Sequence, residues 1–239
     1  MRNTKDKEPI LPDLRIAEVI AQPFGTFINA DCLSVMKGFS DKQFDLAIVD
    51  PPYSDTFNTN ACADNKGKKG KYNISTLNGH LPTDEYWDEL KRISKNQIVW
   101  GVNWYGKYFG VGGICWFKDN TGNYSPCEYA YQSLNNHVHY FKWTWNGMIQ
   151  QNMKEKQERI HPTEKPVQLY EWILKTFAKP GDSIIDTHLG SASIGIAVDK
   201  VNKLDHMNLS LTGIELDSYY FKKAMSRLNE HSSQTAMSF

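Results

Sequence analysis

Apolar residues fall in short blocks along this chain, and two spacings alternate. Gly25–Ala30, Phe44–Val49, Gln97–Gly101, Gly113–Phe117, Ser183–Asp186 and Leu209–Ile214 are compact apolar runs. The second of them, F-D-L-A-I-V, is almost continuously apolar, as in strands buried on both faces. Between these runs the period changes. Val167, Tyr170, Ile173, Leu174 and Phe177 follow the i, i+3, i+4 spacing of a helix with one buried face. Pro166 suits the first position of that helix. Thr83 followed by Asp84 and Glu85 predicts a capped helix running to about Ser94. Further helices are expected from Cys32 to about Gly38, after the Leu189–Ser193 loop, and from Ser218 to about Glu230. Strands alternating with helices at this spacing predict an α/β domain around a mostly parallel sheet.

Two stretches break the pattern. Residues 54–80 are rich in Asn, Gly, Lys and Asp, and loops of this length in compact domains are usually functional or disordered. Residues 119–160 are rich in Asn, Gln, Tyr and Trp, with His137–Trp145 alternating like a strand or hairpin. Both read as variable segments inserted in a single domain spanning residues 1–239. The first fifteen residues read as a loose arm.

Composition narrows the class. Lys+Arg and Asp+Glu both count 27, so the chain is neither a polybasic nucleic-acid sponge nor a disordered polyion. Its four cysteines include no C-x-x-C spacing, and reduced thiols of a cytosolic protein are expected. Met1–Pro9 has no apolar signal core, and no apolar run is long enough to span a bilayer. A soluble intracellular protein is the expectation.

Three features carry chemistry. Asp50-Pro51-Pro52-Tyr53 follows an apolar strand, and in open α/β sheets ligands bind beyond the carboxyl ends of strands. The loop from Asp186 to Ser193 ends in the small-residue stretch Leu189-Gly190-Ser191-Ala192-Ser193, which opens a helix and lets a ligand approach the backbone closely. Glu215-Leu216 ends the next strand, where an acidic side chain can hold two ribose hydroxyls. The last two together describe half of a nucleoside-cofactor site.

With His161-Pro162-Thr163-Glu164-Lys165-Pro166 added, the set D-P-P-Y, H-P-T-E-K-P and D-T-H-L-G-S resembles the S-adenosylmethionine-dependent amino-methyltransferases of DNA. The motif order resembles their beta group, and small phage- or prophage-type adenine methylases in particular. The similarity covers roughly Thr26 to Glu230. It implies a circularly permuted Rossmann-like methyltransferase fold, with a mostly parallel seven-stranded sheet, helices on both faces and a small variable recognition region. It also implies transfer of a methyl group from S-adenosylmethionine to adenine N6 of a base flipped out of double-stranded DNA. Cytosine N4, RNA adenine or a silent DNA-binding fold are the alternatives. Asp at the head of the first motif favours adenine, because cytosine enzymes more often carry Ser there.

The resemblance assigns roles residue by residue. Asp50 and the Pro51 carbonyl accept the amine protons, Pro52 stiffens the turn and Tyr53 stacks on the base. Asp31 and Cys32 lie at the adenine of the cofactor, although Asp31 also reads as a helix N-cap. His161, Thr163, Asp186, Thr187, His188, Gly190, Ser191, Glu215 and Leu216 complete the cofactor site. Lys165 neutralises the cofactor carboxylate or is a surface lysine without a role. The family pattern D-P-F-x-G-S-G is altered here by Thr187, His188 and Ala192, and Ala192 is expected to take an ordinary backbone conformation. Lys66, Lys68, Lys69 and Lys71 read as phosphate contacts or a solvated loop. Trp143, Trp145 and Asn146 read as base-edge or wedge residues, or, for the tryptophans, as the core of a small lobe. His137 and His139 lack partners at ligand spacing, so no metal is expected. The family setting is the cytoplasm of a bacterial or phage-infected cell, often in restriction–modification. A homodimer and a separate restriction endonuclease are both compatible with it.

Overall fold

The computed structural model describes residues 16–53, 81–119, 125–145 and 149–236. The elements are β1 (Glu18–Gln22), β2 (Gly25–Asn29), α1 (Cys32–Met36), β3 (Phe44–Val49), α2 (Asp84–Ile93), β4 (Ser94–Trp100), β5 (Gly113–Phe117), β6 (Cys127–Gln132), β7 (Val138–Lys142), α3 (Val167–Phe177), β8 (Ser183–Asp186), α4 (Ser193–Asp205), β9 (Ser210–Glu215) and α5 (Ser218–Ala236). The strands form one mixed sheet in the order β1-β2-β9-β8-β3-β4-β6-β5-β7.

The centre is as expected. β2, β9, β8, β3 and β4 are parallel neighbours. Their side chains alternate between two apolar layers, as the two-residue period of a strand requires. Leu46, Ile48, Ile98, Trp100, Ile184 and Leu211 pack with α3, α4 and α5 on one face. Ala47, Val49, Val99, Ile185 and Ile214 pack with α1 and α2 on the other. Helices therefore cover both faces of the parallel part.

The edges differ from expectation. The sheet has nine strands among the described residues, not seven. β1 pairs antiparallel with β2 at one edge, and β7 pairs parallel with β5 at the other. β6, inserted antiparallel between β4 and β5, comes from the stretch read as variable. Its sequence C-E-Y-A-Y-Q puts Tyr129 and Tyr131 on one face and Glu128, Ala130 and Gln132 on the other, and the face that carries the polar residues is the more buried one. Pro166 is the N-cap of α3 rather than its first residue, with Val167 opening the helix. Thr83 caps α2 as expected, its hydroxyl accepting from the Tyr86 amide.

Topology fixes where a ligand can sit. From β8 the chain continues through α4 to β9 on one side, and from β3 through α2 to β4 on the other. Adjacent strands leaving in opposite directions open a crevice at their carboxyl ends. Asp186 and Asp50 stand at the two lips of that crevice.

Candidate active site

The D-P-P-Y turn leaves the end of β3. Both oxygens of Asp50 are engaged: the Tyr53 hydroxyl donates to Oδ1 and the Lys165 ammonium to Oδ2. Lys165 Nζ also lies 3.0 Å from the Tyr53 hydroxyl oxygen. Lys165 is buried, which excludes the surface-lysine reading. Its ammonium faces the Trp100 ring at 5.3 Å and lies 3.2 Å from a second carboxylate, Glu128 of β6. Glu128 is held on its other oxygen by Lys118. Two ammonium groups and two carboxylates thus form a near-neutral array under the turn.

Burial pushes the Asp50 carboxyl above the usual carboxylate range, while Lys165 opposes the shift. Burial works against the charge of Lys165, but Asp50 and Glu128 outweigh it and raise its pKa. Burial likewise opposes the charge of Glu128, and Lys165 and Lys118 outweigh it, holding that carboxyl below its ordinary value. The Tyr53 hydroxyl is raised well above its ordinary range by burial and then by Asp50, so it remains a donor.

The turn is braced from β4. Gly101 has φ +69, a conformation that L side chains adopt rarely, and a Cβ there would stand 2.1 Å from the Tyr53 ring. The Tyr105 hydroxyl donates to the Pro52 carbonyl and lies 3.4 Å from the Pro51 carbonyl oxygen.

A second group of polar residues lies at the ends of β8, β9 and β2. Asp186 is buried and accepts from the His188 amide at 2.9 Å. Burial pushes its carboxyl up to about 8, partly offset by that amide and reinforced by Asp50 and Glu215. His188 packs edge-on to Tyr86, and burial lowers its pKa to about 4. Thr187 Oγ1 lies 2.7 Å from the Tyr86 hydroxyl and 2.9 Å from His188 Nδ1. The Glu215 carboxylate accepts from the Gly190 amide at 2.8 Å and the Asp217 amide at 2.9 Å. Asn29 donates to the carbonyls of Glu215 and Leu216, tying β2 to the end of β9. Asp31 is the N-cap of α1, its Oδ2 accepting from the Ser34 amide at 2.8 Å. Next to it, Cys32 is pushed up to about 12 by burial and then by Asp31.

Ala192 contradicts the expectation of ordinary backbone. It has φ 56 and ψ 28, the left-handed region, and is fully buried. Ala192 thus takes a conformation that glycine adopts freely and bears the steric cost of a methyl group there.

The H-P-T-E-K-P segment is tied to the glycine turn through α5. Glu164 is buried and lies 3.3 Å from Arg227 Nη2. Arg227 Nη1 donates to the Ser191 carbonyl and to Ser193 Oγ, each at 2.9 Å. His161 packs edge-on against Tyr220, its Nδ1 lies 3.0 Å from Thr163 Oγ1, and its ring comes within 3.7 Å of the position of a Cβ on Gly190. Trp145 is buried and its indole N–H donates to the Glu164 carbonyl at 2.8 Å. Trp143 is half-buried and stacks on Phe141. Both tryptophans therefore serve the core. Lys66, Lys68, Lys69, Lys71 and Asn146 lie outside the described residues.

Glu128, Lys118, Gly101, Tyr105 and Arg227 were not singled out by the sequence. A glutamate at an inward position of an aromatic strand was the one available signal, and it required β6 to be recognised.

The parallel centre of the sheet, the helices on both its faces and the crevice at its switch point make up a Rossmann-like methyltransferase fold. The motif resemblance is borne out, because the family described as DNA methylase, of N6 and N4 amino-methyltransferases, matches residues 114–226. The chain is 23% identical over 248 residues to the type II methyltransferase M2.LlaDCHI of Lactococcus lactis subsp. cremoris, covering 85% of this chain and 88% of that one. It is 23% identical over 246 residues to M2.DpnII of Streptococcus pneumoniae, covering 84% and 88%. The fold is shared with M1.HpyAVI, solved as a complex with S-adenosylmethionine (TM-score 0.52, 20% identity, 84% of this chain and 98% of that one). It is shared also with the cytosine-N4-specific PvuII DNA methyltransferase (TM-score 0.56, 14% identity, 86% of each). Among the described residues, no helix is long and apolar enough to cross a membrane.

Proposed function

We propose that this chain transfers a methyl group from S-adenosylmethionine to N6 of an adenine flipped out of double-stranded DNA. The observation that carries this reading is Asp50, a carboxylate held by Tyr53 and Lys165 at the switch point and followed by two prolines.

An exocyclic amine is a weak nucleophile because its lone pair is delocalised into the ring. Asp50 accepts one N–H and the Pro51 carbonyl the other. Two acceptors draw the nitrogen towards tetrahedral geometry and localise its lone pair. The prolines and Tyr105 fix the acceptors in advance, so little reorganisation accompanies the reaction. Transfer of the methyl group to the nitrogen would break its bond to sulfur and leave a neutral thioether, and the nitrogen, made cationic, would lose one N–H proton on the side of Asp50. The base must be out of the duplex, since its amine is otherwise paired.

The second group of residues suits the cofactor. Glu215 keeps lone pairs for ribose hydroxyls beyond the two amides it accepts from. Asp31 and Cys32 would lie at the adenine, and Asp186 to Ser191 at the amino-acid end. When bound, S-adenosylmethionine supplies an electrophilic methyl group on a sulfonium. Lys165 is committed to Asp50 and Glu128, so neutralising the cofactor carboxylate is not its main task.

Asp at position 50 supports adenine over cytosine. Tritium transfer from labelled S-adenosylmethionine to duplex DNA tests the mechanism. Asp50→Ala is expected to lower the rate at least about a thousandfold, more than loss of one preorganised hydrogen bond in an active site typically costs. Retained transfer would overturn the role of Asp50.

A further inference from the structure

We infer that Glu128 is a positioning residue that sets the strength of Asp50 as an acceptor by sharing Lys165 with it. The inference deepens the proposed function and rests on Asp50 being the group that receives the amine.

The geometry is a chain of alternating charge. Lys118 binds Glu128, Glu128 lies 3.2 Å from Lys165, and Lys165 binds Asp50. Glu128 comes from β6, where it is in register with Trp116 of β5, and Lys118 follows β5 directly. The sheet edge that the sequence left as variable therefore reaches the reacting carboxylate. An ammonium given wholly to Asp50 would hold that carboxylate firmly ionised but draw its electron density away from an incoming N–H. An ammonium shared with Glu128 leaves Asp50 more basic. Buried charge pairs interact strongly enough for this partition to matter.

The other groups facing Asp50 do not replace Glu128. Tyr53 donates to Oδ1 and carries no charge. Tyr105 and Tyr170 are neutral, their hydroxyls raised by burial. Asp186 faces Asp50 from β8 with its carboxyl raised to about 8, so it is largely protonated at neutral pH. Lys165 is the cation on Asp50, and Glu128 is the carboxylate that competes for it.

Opposite shifts test the idea. Glu128→Gln leaves Lys165 to Asp50 alone, so the acidic limb of the kcat–pH profile moves down by about one unit, a tenfold change in ionisation constant, and kcat above it falls. Lys118→Gln removes the other partner of Glu128, draws Lys165 towards Glu128 and moves the limb up. Glu128→Asp, which keeps the charge, restores most of the wild-type profile. A role confined to folding would move neither limb in opposite senses. Limbs that stay in place, or move together, in soluble folded variants overturn the inference. If Glu128→Gln does not fold, the upward shift of Lys118→Gln decides. Asp50→Ala assayed alongside separates the two levels, because transfer retained there defeats the role of Asp50 itself. Loss there with unmoved limbs defeats only the role of Glu128.

Discussion

Gly101 offers a test in which geometry sets the size of the effect. Its φ of +69 is unfavourable for any L side chain, and an added methyl would stand 2.1 Å from Cε1 and 2.4 Å from Cδ1 of Tyr53. The left-handed conformation alone costs roughly 1–2 kcal/mol. Overpacking a filled site adds roughly 1–3 kcal/mol. Gly101→Ala should therefore lose about 2–5 kcal/mol in urea unfolding, or about 4–20 °C in Tm for a chain of this size. Two glycines separate the contributions. Gly181 has φ +87 with nothing within 4 Å, so Gly181→Ala should show the backbone cost alone. Gly106 has nothing within 4 Å and no positive φ, so Gly106→Ala should be near neutral. The collision has a second consequence. The Tyr53 ring must move, and its hydroxyl holds Asp50, so methyl transfer should fall about a hundredfold or more in Gly101→Ala but not in the two controls. Equal stability losses in Gly101→Ala and Gly181→Ala, with activity kept in both, would refute this account of the turn.

Two further outcomes follow from buried charge. Arg227→Met leaves Glu164 buried without its cation and removes the donors to Ser191 and Ser193; it should cost about 3–5 kcal/mol in urea unfolding. Adding Glu164→Gln should recover part of that loss, and a purely additive double variant would contradict the pairing. Asp186 has a folded pKa raised to about 8 from an ordinary 3.8, so between those values the folded state binds more protons than the unfolded chain. Stability from this group is fully present at low pH and is lost as pH rises through about 8. Thermal melts should show wild type losing stability relative to Asp186→Asn across that window, and parallel profiles would contradict a protonated Asp186.

Legibility in the sequence followed the range of the interactions. Asp50, Asp186 and Glu215 could be placed because each ends an apolar strand, and a strand end is a local signal. The capping by Thr83 and Asp31 was local as well. Lys165 was legible as part of a motif but not as the partner of Asp50, because 115 residues separate them and only the fold joins them. Glu128 was hidden because β6 alternates polar with aromatic residues and pairs on both sides, so its register exists only within the sheet. Gly101 reads as an ordinary strand-ending glycine until the Tyr53 ring is seen against it. At Ala192, tertiary packing overrode the backbone preference on which the expectation rested.

The central claim is that Asp50 in this crevice activates the N6 amine of adenine in DNA. The most direct measurement is expression of wild type and Asp50→Ala in a methylation-deficient bacterial host, followed by digestion of the host DNA to nucleosides and mass spectrometry. The account predicts N6-methyladenine from the wild type and none from Asp50→Ala. N4-methylcytosine, or no modified nucleoside from soluble wild-type protein, would contradict it.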